Sequence, residues 1–272
     1  MKKIKLLSVF LVTIMVTTSV SGQNNGKEQL VVPLSEPGKP YQLNVGLVDG
    51  PITVTGYDGK DVVIDVEGES GKNEDKEVSG GMKRLYSHGM SVTAEEKNNK
   101  VSVHSDQPNK TTRLSLKIPK GVTSLRLSTV NNGDIEVSNT GGEMEITNVN
   151  GSITLSGVSG SVVANTVNGD VVVTFKTIDG QAPMAFTTLN GNVDVSFPAN
   201  LKANLKLKSD NGGIYTDFDV AVDITQPAAE RTKEGNMIKL SIKDWVSGKV
   251  AGGGPEILMK NMNGDIFARK SK

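Results

Sequence analysis

Set out in nines from Val130, the chain reads VNNGDIEVS, NTGGEMEIT, NVNGSITLS, GVSGSVVAN and TVNGDVVVT. The fourth place is always glycine, at 133, 142, 151, 160 and 169, and the ninth is always Ser, Thr or Asn. The sixth and eighth places are filled throughout by Ile, Met, Val, Leu or Ala. Apolar residues two apart point to one face of a strand, so each nine is predicted to be one strand and one corner. Glycine at the corner supplies a backbone free to take positive φ, and the neighbouring asparagine tolerates it better than most residues.

The nines are not equivalent. Asn-Gly recurs at Asn132-Gly133 (after a second asparagine), Asn150-Gly151 and Asn168-Gly169, whereas Gly142 and Gly160 stand in NTGG and GVSG, so the period is 18 residues, two strands and two corners. Asn-Gly between alternating strands also signals a tight antiparallel hairpin, which leaves an up-and-down meander as the alternative. A meander gains nothing from keeping asparagine in register. In a solenoid, coils about 4.8 Å apart set like residue upon like, and Asn132, Asn150 and Asn168 are expected to form a ladder beside a narrow Val/Ile/Leu interior. The fold class expected is therefore all-β, a right-handed parallel β-solenoid (β-helix), most regular over about 125–218.

The same corner returns at Asn190-Gly191, Asn211-Gly212 and Asn263-Gly264. Gly169 to Gly191 is 22 residues and Gly191 to Gly212 is 21, so these coils carry insertions, which solenoids place in loops. After Gly212 the register is lost until EILMKNMNGDIFA, read as a last coil or terminal cap. Upstream, YQLNVGLVDGPITVTGYDGKDVVIDVEG has similar grammar, followed by a polar stretch at 68–90 read as an exposed loop. Residues 23–120 are expected to be an irregular N-terminal β cap, since an open end leaves unpaired strand edges.

Residues 1–22 read as a secretory signal: Lys2, Lys3 and Lys5, an apolar run Ile4–Val16, then small residues before a cut near Gly22. A retained anchor is the competing reading, but the run falls short of the roughly 20 residues a span needs. Residues 23–272 would then form a single exported domain. The chain has no cysteine, which removes disulfides, thiolate metal sites and a cysteine nucleophile. Without the three lysines of the leader, the balance of 30 basic and 30 acidic residues becomes a net −3, which argues against a nucleic-acid partner.

The order of GPITVTGYDGKDVVIDV, LSLKIPKGVTSLRLSTVNNGDIEV, the Asn-Gly-Asp/Ser/Asn run, VSFPANLKANLKLKSDNGGIYTDF and GGGPEILMKNMNGDIFARK resembles the bacterial β-strand-repeat family of "putative adhesins", otherwise a domain of unknown function. The likeness spans about residues 40–270. It implies an exported β-helical protein to which no catalytic residues are assigned.

The residues themselves carry little chemistry. Asp134, Asp170 and Asp265 follow corner glycines, but a calcium-binding β-roll needs paired glycines and unbroken acids, and Ser152 and Ser161 interrupt the run; turn chemistry is the simpler reading. Glu136 and Glu145 share the seventh place, pointing outward, without a continuing acidic patch. His88 and His104 are far apart and make no metal site by spacing. Gly-x-Ser-x-Gly and phosphate-loop spacings are missing, and AGGGP at Ala251 reads as a flexible connector. With aromatics at 4 % of the chain, a ring-lined sugar cleft or large apolar pocket is disfavoured. Trp245, the single tryptophan, is expected to plug the end of the solenoid, with a partner contact as the other reading.

The expectation is a non-enzymatic adhesin or envelope surface-interaction protein, periplasmic or at the cell surface, with an envelope or extracellular protein or glycan as partner and no cofactor. A periplasmic scaffold or envelope-stress accessory protein and a carbohydrate-active β-helix enzyme are the alternatives.

Overall fold

The computed structural model describes residues 27–68, 91–105, 107, 110–223, 229–234, 237–242 and 245–271. The leader at 1–22, residues 69–90 of the polar stretch, and His88 lie outside the described residues. The described residues hold 22 strands and no helix. The N-terminal part contains β1 (Lys27–Pro33), β2 (Tyr41–Gly46), β3 (Ile52–Tyr57), β4 (Asp61–Gly68), β5 (Val92–Lys97), β6 (Lys100–Ser105) and β7 (Thr112–Pro119). The regular repeats give β8 (Val122–Ser128), β9 (Ile135–Ser138), β10 (Glu143–Thr147), β11 (Ile153–Asn165), β12 (Val171–Ile178), β13 (Met184–Thr187) and β14 (Val193–Phe197). Then come β15 (Ala203–Asn211), β16 (Ile214–Thr216), β17 (Val220–Val222), β18 (Ala229–Glu234), β19 (Met237–Ile242), β20 (Val246–Val250), β21 (Glu256–Asn263) and β22 (Ile266–Lys270).

Each coil contributes one strand to each of two sheets, and neighbouring coils pair in parallel. The first sheet runs β6, β2, β8, β10, the C-terminal half of β11, β13, β21, β15. The second runs β7, β3, β9, the N-terminal half of β11, β12, β14, β22, β16. Because side chains alternate, one row of the second sheet faces inward as Leu114, Ile52, Ile135, Ile153, Val171, Val193 and Ile266, all fully buried. The first sheet answers with Val103, Val45, Leu127, Ile146, Ala164, Phe186, Met259 and Leu207. A one-residue slip would turn every one of these side chains to solvent, so the alternation fixes the register. Where the coils widen, Phe175, Phe186 and Phe197 fill the space, with Phe175 and Phe197 stacked at 5.5 Å and Phe186 edge-on to both at 6.2 Å.

The coils do not stack in chain order. The coil of β2 and β3 sits between those of β6–β7 and β8–β9, and the C-terminal coil of β21 and β22 sits between those of β13–β14 and β15–β16. The final repeat is therefore an interior coil, not the last coil or cap expected of it. The chain from β14 to β15 steps past the place of one coil, although its 21-residue spacing is no longer than the 22 residues that join the directly adjacent corners at Gly169 and Gly191. Likewise, the N-terminal half is only partly a cap. Antiparallel β1, β4 and β5 close one end, while β2–β3 and β6–β7 are coils in register. At the other end β20 pairs antiparallel with β15 and β17 with β20. Antiparallel closure of this kind covers edges that would otherwise invite further strands. β18 and β19 pair only with each other among the described strands.

Candidate functional site

The recurring Thr-x-Asn-Gly-Asp corner, where the first sheet leads into the second, resolves into three hydrogen-bonded ladders. In the first, each asparagine amide donates to the oxygen of the coil beside it: Asn150 Nδ2 to Asn131 Oδ1 at 3.2 Å, Asn168 to Asn150 at 2.9 Å, Asn190 to Asn168 at 2.8 Å, Asn263 to Asn190 at 2.7 Å and Asn211 to Asn263 at 3.0 Å. The rung in the VNNG coil is Asn131 rather than Asn132. The extra residue puts Asn132 at φ +52°, and its amide reaches Asp49 Oδ2 at 2.8 Å instead. Asn263, not Asn211, follows Asn190, as the coil order requires.

The residue after each glycine builds the second ladder. Asp134 Oδ1 accepts the Ser152 amide at 2.7 Å, Ser152 Oγ accepts Asp170 N at 3.1 Å, and Asp170 Oδ1 accepts Asn192 N at 2.7 Å. Asn192 Oδ1 then accepts Asp265 N at 2.8 Å, and Asp265 Oδ1 accepts Gly213 N at 2.7 Å. Asp, Ser and Asn alternate here because the place needs only a short side chain with an acceptor oxygen. Each such acid has one oxygen occupied by a backbone amide, and the described residues contain no group of three or more His, Asp or Glu placed to share a metal ion.

The third ladder was not foreseen from the sequence. Thr129, Thr166 and Thr188 hydroxyls and Asn148, Asn261 and Ser209 side chains donate to the carbonyls of Gly50, Gly151, Gly169, Gly133, Gly191 and Gly264 at 2.8–3.0 Å. A glycine carbonyl turned inward at a corner would be costly to leave unpaired, and this donor satisfies it. The signal was present: Thr, Asn or Ser stands three residues before Gly151, Gly169, Gly191, Gly212 and Gly264.

The glycines hold close contact between coils. A side chain at Gly169 would fall on the Gly151 carbonyl, one at Gly191 on that of Gly169, one at Gly264 on that of Gly191 and one at Gly212 on that of Gly264. Gly133 meets the Gly50 backbone, and Gly151 that of Gly133. The remaining place, x, is apolar in most corners: Val48, Val130, Val167, Leu189 and Met262 are 37–44 % exposed, Val149 between the second and third is half-buried, and Asp210 ends the run. A contiguous stripe of such side chains is unusual on a surface.

The other candidates are dispersed. Glu136 lies on the second sheet and Glu145 on the first, where Glu145 pairs with Arg126 at 3.1 Å, so the two do not converge. His104 is exposed on β6. Trp245 does not plug the interior: it is half-buried beside the outward-facing Lys206 and Lys208, their ammonium groups 5.1 and 6.0 Å from its ring centre, because β15 turns Leu205 and Leu207 inward instead. Phe218 and Val250 join Leu205 and Leu207 among the apolar residues buried near that end. AGGGP is a fastened turn, not a loose connector, with Gly253 N bonded to Val250 O at 3.0 Å and Asn204 Nδ2 to Gly254 O at 2.6 Å. Buried Tyr41 donates to the Pro119 carbonyl at 2.6 Å, and its burial pushes the phenol pKa far up, so it stays neutral.

The Toastrack DUF4097 family model matches residues 129–244. A solved structure of a "putative cell adhesion protein" from Clostridium sporogenes is similar at 14 % identity, over 90 % of this chain and 99 % of that one, with a TM-score of 0.48. A "putative adhesin" from Bacteroides fragilis is similar at 10 % identity, over 90 % of this chain and 98 % of that one, with a TM-score of 0.30. No curated protein matches. Over its most regular coils, then, the chain is similar to the Toastrack family, and those coils are built as a β-solenoid.

Proposed function

We propose that this is an exported, non-enzymatic surface-interaction protein of adhesin-like character, a right-handed β-solenoid that works by presenting its faces to an envelope or extracellular partner. The observation that carries the proposal is how the conspicuous residues are used. The recurring Asn, Asp and Thr side chains bond to the neighbouring coil, while the residue between Thr and Asn offers an apolar stripe to the outside. Glycoside hydrolysis of the usual kind needs two convergent carboxyl groups, whereas a repeated ladder with an exposed edge suits binding along a length. The handedness follows the strong preference for right-handed crossovers between parallel strands. Export rests on the basic and apolar run at residues 1–22.

Protease shaving of intact cells tests the location, with an antibody to the protein and a known periplasmic protein as control. The protein is expected to be digested while the control survives. Protection until the outer membrane is opened would contradict surface display and favour a periplasmic scaffold.

A further inference from the structure

At the opposite corner, where the second sheet leads back into the first, the side chains are used differently. There a groove of about 590 Å³ runs across the coils, lined by Tyr57, Asn139, Thr140, Ser159 and Lys176 over a backbone rich in glycine. Its floor is opened by a bulge in β11, where the register with β12 shifts on either side of Val158. Gly157 in this bulge has φ +60°, and the nearest atom to a side chain built there is Asn139 Oδ1 at 3.7 Å, so glycine leaves the backbone bare. Bulges re-aim the chain in this way beside functional sites.

Tyr57 is clamped at one end of the groove. Its hydroxyl donates to the Asp61 carbonyl at 2.6 Å, and its ring covers Gly59 so closely that a methyl group there would collide with it. Across the groove Lys176 is exposed and forms no ion pair among the described residues, while Lys120 is held by Asp58 at 2.6 Å. The side chains of Asn139, Thr140 and Ser159 likewise bond to no other described residue, in contrast to the corner asparagines. A fixed ring, neutral donors and acceptors, and one free cation thus border a groove that crosses the coils.

From this arrangement we infer that the groove binds a linear acidic saccharide. One sugar face packs on Tyr57, the amide and hydroxyls meet sugar hydroxyls, and Lys176 pairs with a carboxylate. A groove lined from several successive coils suits a chain rather than a compact small molecule. The inference rests on the proposal that the protein acts by binding, but its test uses purified protein and is independent of location.

Calorimetric titration with short linear oligogalacturonates, and with neutral oligoglucosides of equal length, tests it. The acidic series is expected to bind and the neutral series to bind about tenfold more weakly, the worth of one charge-assisted hydrogen bond. Lys176→Glu should weaken the acidic series by at least that factor, and Tyr57→Ala should weaken both series. Trp245→Ala, which lies outside the groove, should leave binding unchanged. Lys176 is exposed and forms no ion pair among the described residues, so its replacement does not threaten folding. Absence of binding to either series, equal binding of both, or binding that survives Lys176→Glu would overturn the inference.

Discussion

Ending the chain after Pro255 is expected to unfold the C-terminal half of the stack, although it removes only the last two strands. β21 is hydrogen-bonded to β13 on one side and β15 on the other, and β22 to β14 and β16. Their loss takes Ile257, Met259, Ile266 and Ala268 out of the interior, each at most 1 % exposed. At about 2 kcal/mol for each of the three larger side chains, roughly 6 kcal/mol of burial disappears before the separated neighbours are counted. That is comparable to the whole stability of an ordinary domain. Deleting β1 is the contrasting case: it pairs with β4 alone, and within it only Val32 is buried. Urea unfolding followed by circular dichroism should show the first truncation with about half of its strand signal already lost in water and the second still folded with a lowered midpoint. Equal, mild effects from both would mean that β21 and β22 are peripheral.

The second large effect is expected at a single atom. Gly169 has φ +149°, and a methyl group added there would land on the Gly151 carbonyl oxygen of the adjacent coil. Both the backbone strain and the contact must be relieved, and moving either coil disturbs the Thr166 and Asn168 bonds to Gly151 and Asn150. Gly169→Ala should therefore cost about 3 kcal/mol or more. Gly180→Ala is the control, since Gly180 has no positive φ and nothing within 4 Å of the added carbon; it should change stability by less than about 0.5 kcal/mol. A destabilisation at Gly169 no larger than at Gly180 would mean that the corners do not hold the coils in close contact.

These two cases mark what the sequence could and could not disclose. Strand period, corner glycines and an asparagine ladder were legible because each is written locally: alternation needs four residues and a corner needs two. The acceptor role of the residue after glycine and the donor role of the one three before it are also local. Their purpose, however, appears only when a neighbouring coil supplies the amide or carbonyl. Coil order was not legible at all. Asn168, Asn190, Asn211 and Asn263 stand in such similar corners that any two can stack, and nothing in NMNGDIFA says that its neighbours are TLNGNVDV and SDNGGIYT. The spacing does not help either, since Gly169 to Gly191 joins neighbouring coils with 22 residues and Gly191 to Gly212 steps over a coil with 21. Trp245 misled for a related reason. A lone tryptophan suggests burial, but the inward places of β15 belong to Leu205 and Leu207. The groove at Tyr57 and Lys176 was invisible because its residues come from separate coils with no shared spacing.

Insertion of the last coil into the stack underlies the ladders, the closed ends and the surfaces offered to a partner, and the absence of natural cysteine allows a clean test of it. Thr187 lies opposite Lys260 in the first sheet, and Lys260 opposite Lys208, so Thr187 and Lys208 are two strands apart. Parallel neighbours about 4.8 Å apart are within the 4.4–6.8 Å Cα range of a disulfide, and strands twice as far apart are not. Oxidation of purified Thr187→Cys/Lys260→Cys and Thr187→Cys/Lys208→Cys proteins, followed by digestion and mass spectrometry of the linked peptides, distinguishes the two orders. The account predicts an intramolecular disulfide in the first protein and none in the second. Crosslinking of Thr187→Cys to Lys208→Cys but not to Lys260→Cys would show that the coils stack in chain order and would contradict it.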